Sequence, residues 1–296
     1  MRKHVTSLLQ CGCCAASDVP DPEFVESLPA SVSYYDEVNE TKVPMAAQQL
    51  STQPLDKDLQ QERQVEVVFE DGSTYKGQWK NGKKHGHGIH IKKDGQLFQG
   101  QFINGRAHGR GVCRVPNGMT YEGQWLQDQA HGEGRYTSAD GGTYFGQWVR
   151  DKKCGTGKET WPDSASYEGG FLHGFKHGRG KYSTIIGVAY EGDFSEDKMH
   201  GKGQYVFGDG RVYEGEWIAG RICGEGRMQW PDGSTYEGQY QNDLKNGAGS
   251  FTWPSGATYK GQWQNGKHHG TGTFTSADGS MHSGHWKNGE LAKAAG

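Results

Sequence analysis

The chain has 296 residues, of which 48 are glycine, 32% are hydrophobic and 11% aromatic, with a formal net charge of −3. Glycine is far above its usual ~7% and apolar residues fall below the ordinary level, which excludes a thick globular core and leaves rings to carry the burial. Residues 1–64 hold five Lys/Arg against ten Asp/Glu and the remainder balances at +2, so neither part has the charge of a nucleic-acid binder.

Residues 1–64 contain no repeat and no sustained periodicity, and five of the nine prolines fall there (Pro20, Pro22, Pro29, Pro44, Pro54). Such a segment buries too little apolar surface to offset chain entropy, so disorder is expected. Its sharpest feature is the cluster Cys11, Cys13 and Cys14, which follows Arg2, Lys3, Leu8 and Leu9. Thiols beside basic and apolar residues suit S-acylation, which would hold this tail on the cytoplasmic face of a membrane. Half a zinc site is the weaker reading, because no second ligand pair follows at suitable spacing. No run approaches the ~18 apolar residues of a membrane span, and six cysteines in so long a chain make no disulfide framework. A reducing, intracellular compartment is the expectation.

From residue 65 to 290 one phrase governs the chain. Tyr75-Lys76-Gly77-Gln78-Trp79, followed by His85-Gly86-His87-Gly88, returns every 23 residues, and its first glycine falls at 77, 100, 123, 146, 169, 192, 215, 238, 261 and 284 without insertion. A period that strict describes one supersecondary unit stacked many times. Tyr75, Gly77 and Trp79 alternate with Lys76 and Gln78, the signature of a strand with one ring-bearing face and one polar face. Asn81-Gly82, Asn104-Gly105 and Asn265-Gly266 then make a tight turn into a second strand, and Asp71-Gly72, Asp94-Gly95 and Asp209-Gly210 make the turn between units. Two strands and two turns per unit give an all-β, elongated, twisted single antiparallel sheet, a meander of hairpins about 85–95 Å long at ~4.8 Å per strand. Glycines of the Gly77, Gly86 and Gly88 phases are expected on the ring face, where a neighbouring ring lies across each hole. Val65, Val67 and Phe69 are placed to cap the start of the array; residues 291–296 form a short tail that leaves the last edge open for pairing with a second copy.

The Tyr-x-Gly-x-Trp and Gly-x-x-His-Gly-x-Gly phrases resemble the MORN (membrane occupation and recognition nexus) repeat, in nine full units and one partial one. The resemblance implies a scaffold: members of this kind hold cytoskeletal, ciliary or flagellar and membrane–cytoskeleton assemblies, or bind myosin tails. Recruitment of an extended peptide, helix or myosin-tail-like segment onto an aromatic groove follows, with Trp125, Tyr144, Trp148, Tyr167, Tyr190, Tyr213 and Trp217 as the mid-array contacts. Two other readings stand beside it: a peripheral membrane protein attached by the cysteine tail or by anionic phospholipid on a basic stripe, and a targeting subunit for a separate enzyme.

No chemistry is expected. The histidines at 85, 108, 131, 177, 200 and 269 recur two strands apart, ~9–10 Å, too far for one metal ion, so they read as residues that fix the turn. Gly-x-Gly lacks the strand–helix context of a dinucleotide site, and no nucleophile triad or paired carboxylates stand out, so neither cofactor nor catalytic residue is assigned. Glu122, Glu168 and Glu191 on first strands and Arg135, Lys158 and Lys181 on second strands read as cross-strand ion pairs. Residues 154–190, where the Asp-Gly turn fails at Asp163-Ser164 and Ile186-Gly187, are the place where the array bends or binds.

Overall fold

The computed structural model describes residues 65–292, so the cysteine cluster at 11–14 lies outside it. Among the described residues every regular element is a strand, and the strands form one 21-stranded sheet. Each strand pairs antiparallel with its neighbours in sequence, as in Thr74–Lys80 with Lys83–Ile91 and Lys83–Ile91 with Leu97–Ile103, so the sheet is a meander throughout. The expected all-β architecture is therefore the one observed.

The hairpin turn within a unit needs two left-handed residues, and Asn81 and Gly82 supply them at φ 52° and 70°. Four units place aspartate second in the turn, and its carboxylate compensates for the strained backbone. Asp128 Oδ1 accepts the Ala107 N–H at 2.7 Å, and Asp151, Asp197 and Asp243 do the same for Ala130, Lys176 and Ile222 at 2.7–2.9 Å. These bonds tie each turn to the preceding unit.

The second strand carries a bulge, with Gly86 and His87 interposed between the pairs Gly77–Gly88 and Gln78–His85. Gly86 sits at φ 59°, and a Cβ there would run into the Gln78 side chain, so this glycine does not receive a ring. That corrects the expectation that all the glycine phases lie under rings. Gln78 Oε1 instead accepts the His87 N–H at 2.7 Å, and Gln101, Gln124 and Gln262 repeat the bond to Arg110, Glu133 and Thr271 at 2.9–3.1 Å.

The remaining glycines behave as expected. Gly77 and Gly88 pair across the hairpin under the Tyr75 ring, and a Cβ on Gly88 would stand 2.5–2.6 Å from atoms of that ring. Lying flat over the glycine pair, the tyrosine reaches the bulge carbonyl with its hydroxyl. Eight units make this bond, from Tyr75 to Gln78 O through Tyr259 to Gln262 O, at 2.8–3.2 Å. Each tyrosine (Phe98 in the second unit) packs edge-on to the last ring of its own strand and to the equivalent ring of the next unit. The result is an unbroken ring chain from Trp79 to Trp286, with centroids 5.0–5.5 Å apart and planes crossed at 80–90°. Edge-to-face contacts add roughly 0.5–1.5 kcal/mol each beyond area burial, so stability is passed from unit to unit.

The ends differ from one another. Val65–Val68 pairs with the first full strand and Phe69 packs against Trp79 and His90, both at 6.3 Å, which is the expected cap. The far edge, expected to be open, is covered at one end only, and Met281 at the other end is 68% exposed. Glu290–Leu291 folds back onto Trp286–Lys287, and Leu291 covers Gly284 where other units place a tyrosine. Residues 154–190 keep the pairing continuous, so the sheet has no break there. What changes is that Gly170 replaces the bulge-capping glutamine and that Ile185 and Ile186 stand 76% and 73% exposed at a turn.

Candidate binding surface

The seven aromatic residues expected to line a groove are interior. Tyr144, Tyr167 and Tyr213 are fully buried, Tyr190 is 1% exposed, and Trp125, Trp148 and Trp217 are 3–4% exposed. They belong to the ring chain, where each covers its neighbours, so they offer a partner no surface. The indoles are committed as well: Trp125, Trp148 and Trp217 donate Nε1–H to the Gly111, Gly134 and Gly203 carbonyls at 3.0–3.3 Å. A ring that recurs in every unit is one the packing requires. Rings that recur irregularly are the ones left partly open, and irregular recurrence is the signal that sequence reasoning passed over.

Those rings form a second row on the same face, at the far end of the nine-residue strands and at the residue just beyond it. Tyr136, Trp161, Tyr182, Tyr205, Trp230, Phe251, Trp253 and Phe274 are half-buried against the core. The row is densest near its end, where Trp230–Phe251, Phe251–Trp253 and Trp253–Phe274 lie 5.5, 4.7 and 5.6 Å apart. Elsewhere the same phases hold Cys113, Glu159, Ser138 and Thr184, which interrupt it.

Between the two rows runs a column that sequence reasoning also missed, because lysine reads as surface charge. Lys153 lies 4.8 Å from the Tyr144 ring centre and Lys176 4.9 Å from that of Trp161, and both are paired, to Glu159 at 2.5 Å and to Asp197 at 3.8 Å. Lys245 is surrounded by Trp230, Tyr236, Phe251 and Trp263 at 4.6–5.3 Å. Where the other two lysines meet carboxylates, its neighbours at the same spacings are Phe251 and Gly266. Burial therefore pushes its ammonium down to about 8, against the attraction of four ring faces. His268, stacked on Tyr259 at 3.7 Å and edge-on to Trp253, is pushed down to about 4 by burial and then by Lys245.

One histidine of the repeat meets a hairpin turn as expected, His200 Nδ1 accepting the Ala219 N–H at 3.4 Å, but three others do not. Nδ1 of His85, His131 and His269 is buried without a hydrogen-bond partner, while the turn is held by backbone bonds such as Gly105 N–H to Lys84 O at 2.8 Å. Among the described residues no three of His, Cys, Asp and Glu come together in a metal-binding group. The expected cross-strand ion pairs are present at Lys158–Glu168 (3.4 Å) and Lys181–Glu191 (3.6 Å), with every side chain more than half exposed. Pairs so exposed contribute ~0–1 kcal/mol.

Compared with known families, the chain matches the MORN repeat model over nine consecutive segments, 75–97, 98–120, 121–143, 144–166, 167–186, 190–210, 213–235, 236–258 and 259–281. A comparison with curated proteins gave no match. Among solved structures it is similar to the CPAP G-box domain (12% identity, 75% of this chain and 99% of that one, TM-score 0.35). The TCP domain of Drosophila melanogaster SAS-4, in complex with a proline-rich motif of Ana2, is matched at 10% identity over 60% of this chain and 85% of that one, TM-score 0.31. The TCP10 domain of Danio rerio CPAP is matched at 14% identity over 75% of this chain and all of that one, TM-score 0.26. Scores at that level carry neither fold nor function across.

Proposed function

The chain belongs to the MORN repeat family, and we propose that it is a non-catalytic scaffold whose half-buried ring row holds an extended segment of a protein partner. The setting proposed is a cytoskeletal, ciliary or membrane–cytoskeleton assembly on the cytoplasmic side. One observation carries the reading: a dense row of open rings, Trp230, Phe251, Trp253 and Phe274, lies beside a ring chain that is already closed. Rings on that row are not needed to bury the tyrosines, and apolar surface of this kind marks a place for another molecule. Rigid aromatic anchors contribute most of the energy in such contacts. The test compares proteins captured from source cells by the full chain and by a Trp230→Ala/Trp253→Ala variant that keeps its thermal transition. The reading expects cytoskeletal or junctional proteins that the variant loses. A capture set without such proteins, or one the variant leaves unchanged, refutes it.

A further inference from the structure

The opposite face of the sheet carries a second feature, along its hairpin-turn edge. The last residue of each first strand and the first residue of each second strand pair across the turn, as Ile103 does with Arg106 and Val149 with Lys152. Lys84, four residues from Lys80, is on the ring face through its pairing with Trp79, so the adjoining Lys80–Lys83 pair and its equivalents face the other way.

In four consecutive units this row places Ile103, Leu126, Val149 and Leu172, at 43%, 38%, 45% and 40% exposure. Four aliphatic side chains at that exposure, at one fixed phase, are not incidental surface. Between them stand Arg106 and Lys152, both exposed, and Gln129 and Phe175 complete the row, which holds no carboxylate over this stretch. The row is narrow: the next positions inward on the same face are Gln101, Gln124, Gln147 and Gly170 on first strands and His108, His131, Cys154 and His177 on second strands, and beyond them one large apolar side chain, Phe145, stands 56% exposed.

We propose that this row docks an amphipathic α-helix with acidic flanks, belonging to a protein partner. Three properties select that occupant. Equivalent positions in successive units are two strands apart, ~9.6 Å, while seven residues of helix advance ~10.5 Å. A helix laid along the row therefore meets the aliphatic residues once per heptad, drifting ~3 Å over the three intervals, within the reach of side chains. The cations between the aliphatic residues are placed to meet carboxylates on the helix flanks, and no acid of the row opposes them. A file of apolar side chains bordered mainly by glutamines and histidines suits a narrow helix face, whereas a lipid surface would be met by a broad patch.

The experiment titrates the full chain with a synthetic peptide of four heptads, leucine at two positions per heptad and glutamate on both flanks. A peptide with lysine replacing each glutamate and vesicles of mixed phosphatidylserine and phosphatidylcholine are titrated in parallel. The glutamate peptide is expected to bind and the lysine peptide at least about tenfold more weakly. Leu126→Asp/Leu172→Asp should weaken the glutamate peptide by about tenfold or more, and Arg106→Glu/Lys152→Glu should reverse the preference for peptide charge. The second pair changes only exposed charge, so it tests the proposal even where the aspartates harm folding. Equal binding of the two peptides, no binding of either, or vesicle binding lost in these same variants with no peptide binding, overturns the proposal.

Discussion

Tyr236 and Tyr240 lie four residues apart on the strand Thr235–Gln241, and removal of their hydroxyls is expected to have opposite effects. Tyr236 donates to the Gln239 carbonyl at 2.9 Å, the bond shared by the other tyrosines of its phase. Tyr240 stands in the tryptophan phase, where Trp217 and Trp263 place an indole N–H on a glycine carbonyl at 3.3 and 3.1 Å. A phenol is too short for that acceptor, and the Tyr240 hydroxyl is buried with no partner. An unsatisfied buried hydroxyl costs ~1–3 kcal/mol, while a made hydrogen bond contributes ~0.5–1.5 kcal/mol. Phe171 and Phe194 already occupy the Tyr240 phase, 4% and 6% exposed, so phenylalanine fits. Tyr240→Phe should therefore stabilise the protein by about 1 kcal/mol or more and Tyr236→Phe should destabilise it by about 1 kcal/mol. At ~2–4 °C per kcal/mol for an array of this size, the two Tm shifts, read by far-UV circular dichroism, should be clearly separated and of opposite sign. Two decreases of similar size would refute the hydrogen-bond assignment and leave ring packing as the whole contribution of both residues.

Three further outcomes follow from the same packing. Gly134→Ala puts a methyl group against the Tyr121 ring and should cost ~1–3 kcal/mol in urea unfolding, whereas alanine at Gly208, in a turn where its Cβ would meet only Val188 at 3.5 Å, should cost far less. Lys245 has its folded-state value lowered to about 8 from 10.5, so wild-type stability should rise relative to Lys245→Met as pH rises from about 8 to 10.5; a difference independent of pH would refute the caged cation. His90 and His268 are each lowered to about 4 by burial, so stability should fall as pH drops from 6.5 toward 4, and His90→Phe/His268→Phe should flatten that slope in a pH series of melts.

The fold was legible because the repeat combines signals that agree. Alternation in Tyr75-Lys76-Gly77-Gln78-Trp79 sets the strand, Asn81-Gly82 sets the turn, and an invariant spacing excludes a change of architecture between units. The bulge was not legible. Gly86 and Gly88 share a parity, and two interposed residues leave the parity of everything beyond them unchanged, so nothing in the pattern distinguishes a glycine under a ring from one at positive φ. Nor did parity reveal which rings would be covered, since coverage depends on the next unit: Trp148 closes over Tyr121 from 27 residues away in sequence. Lys245 was at a readable ring-face position, yet its environment is assembled from Trp230, Tyr236, Phe251 and Trp263, two on either side of it in the chain.

Regularity itself divides structure from binding on this sheet. A position repeated in every unit, such as Tyr144 or Gly146, is fixed by contacts with its own equivalents, and changing it damages the neighbouring units as well as its own. A position free of that demand can vary, and its variation can serve a partner without cost to the array. Both surfaces proposed for binding are of the second kind. The outer ring row passes from Cys113 through Glu159 to Phe251 at one phase, and the opposite-face row passes from Lys80 through Leu126 to Gln264 at another. Substitutions along those rows should therefore change binding at nearly constant stability, and substitutions along the ring chain should lower stability first. If Trp253→Ala cost as much stability as Trp263→Ala, the outer row would be core and the separation between packing and binding would fail.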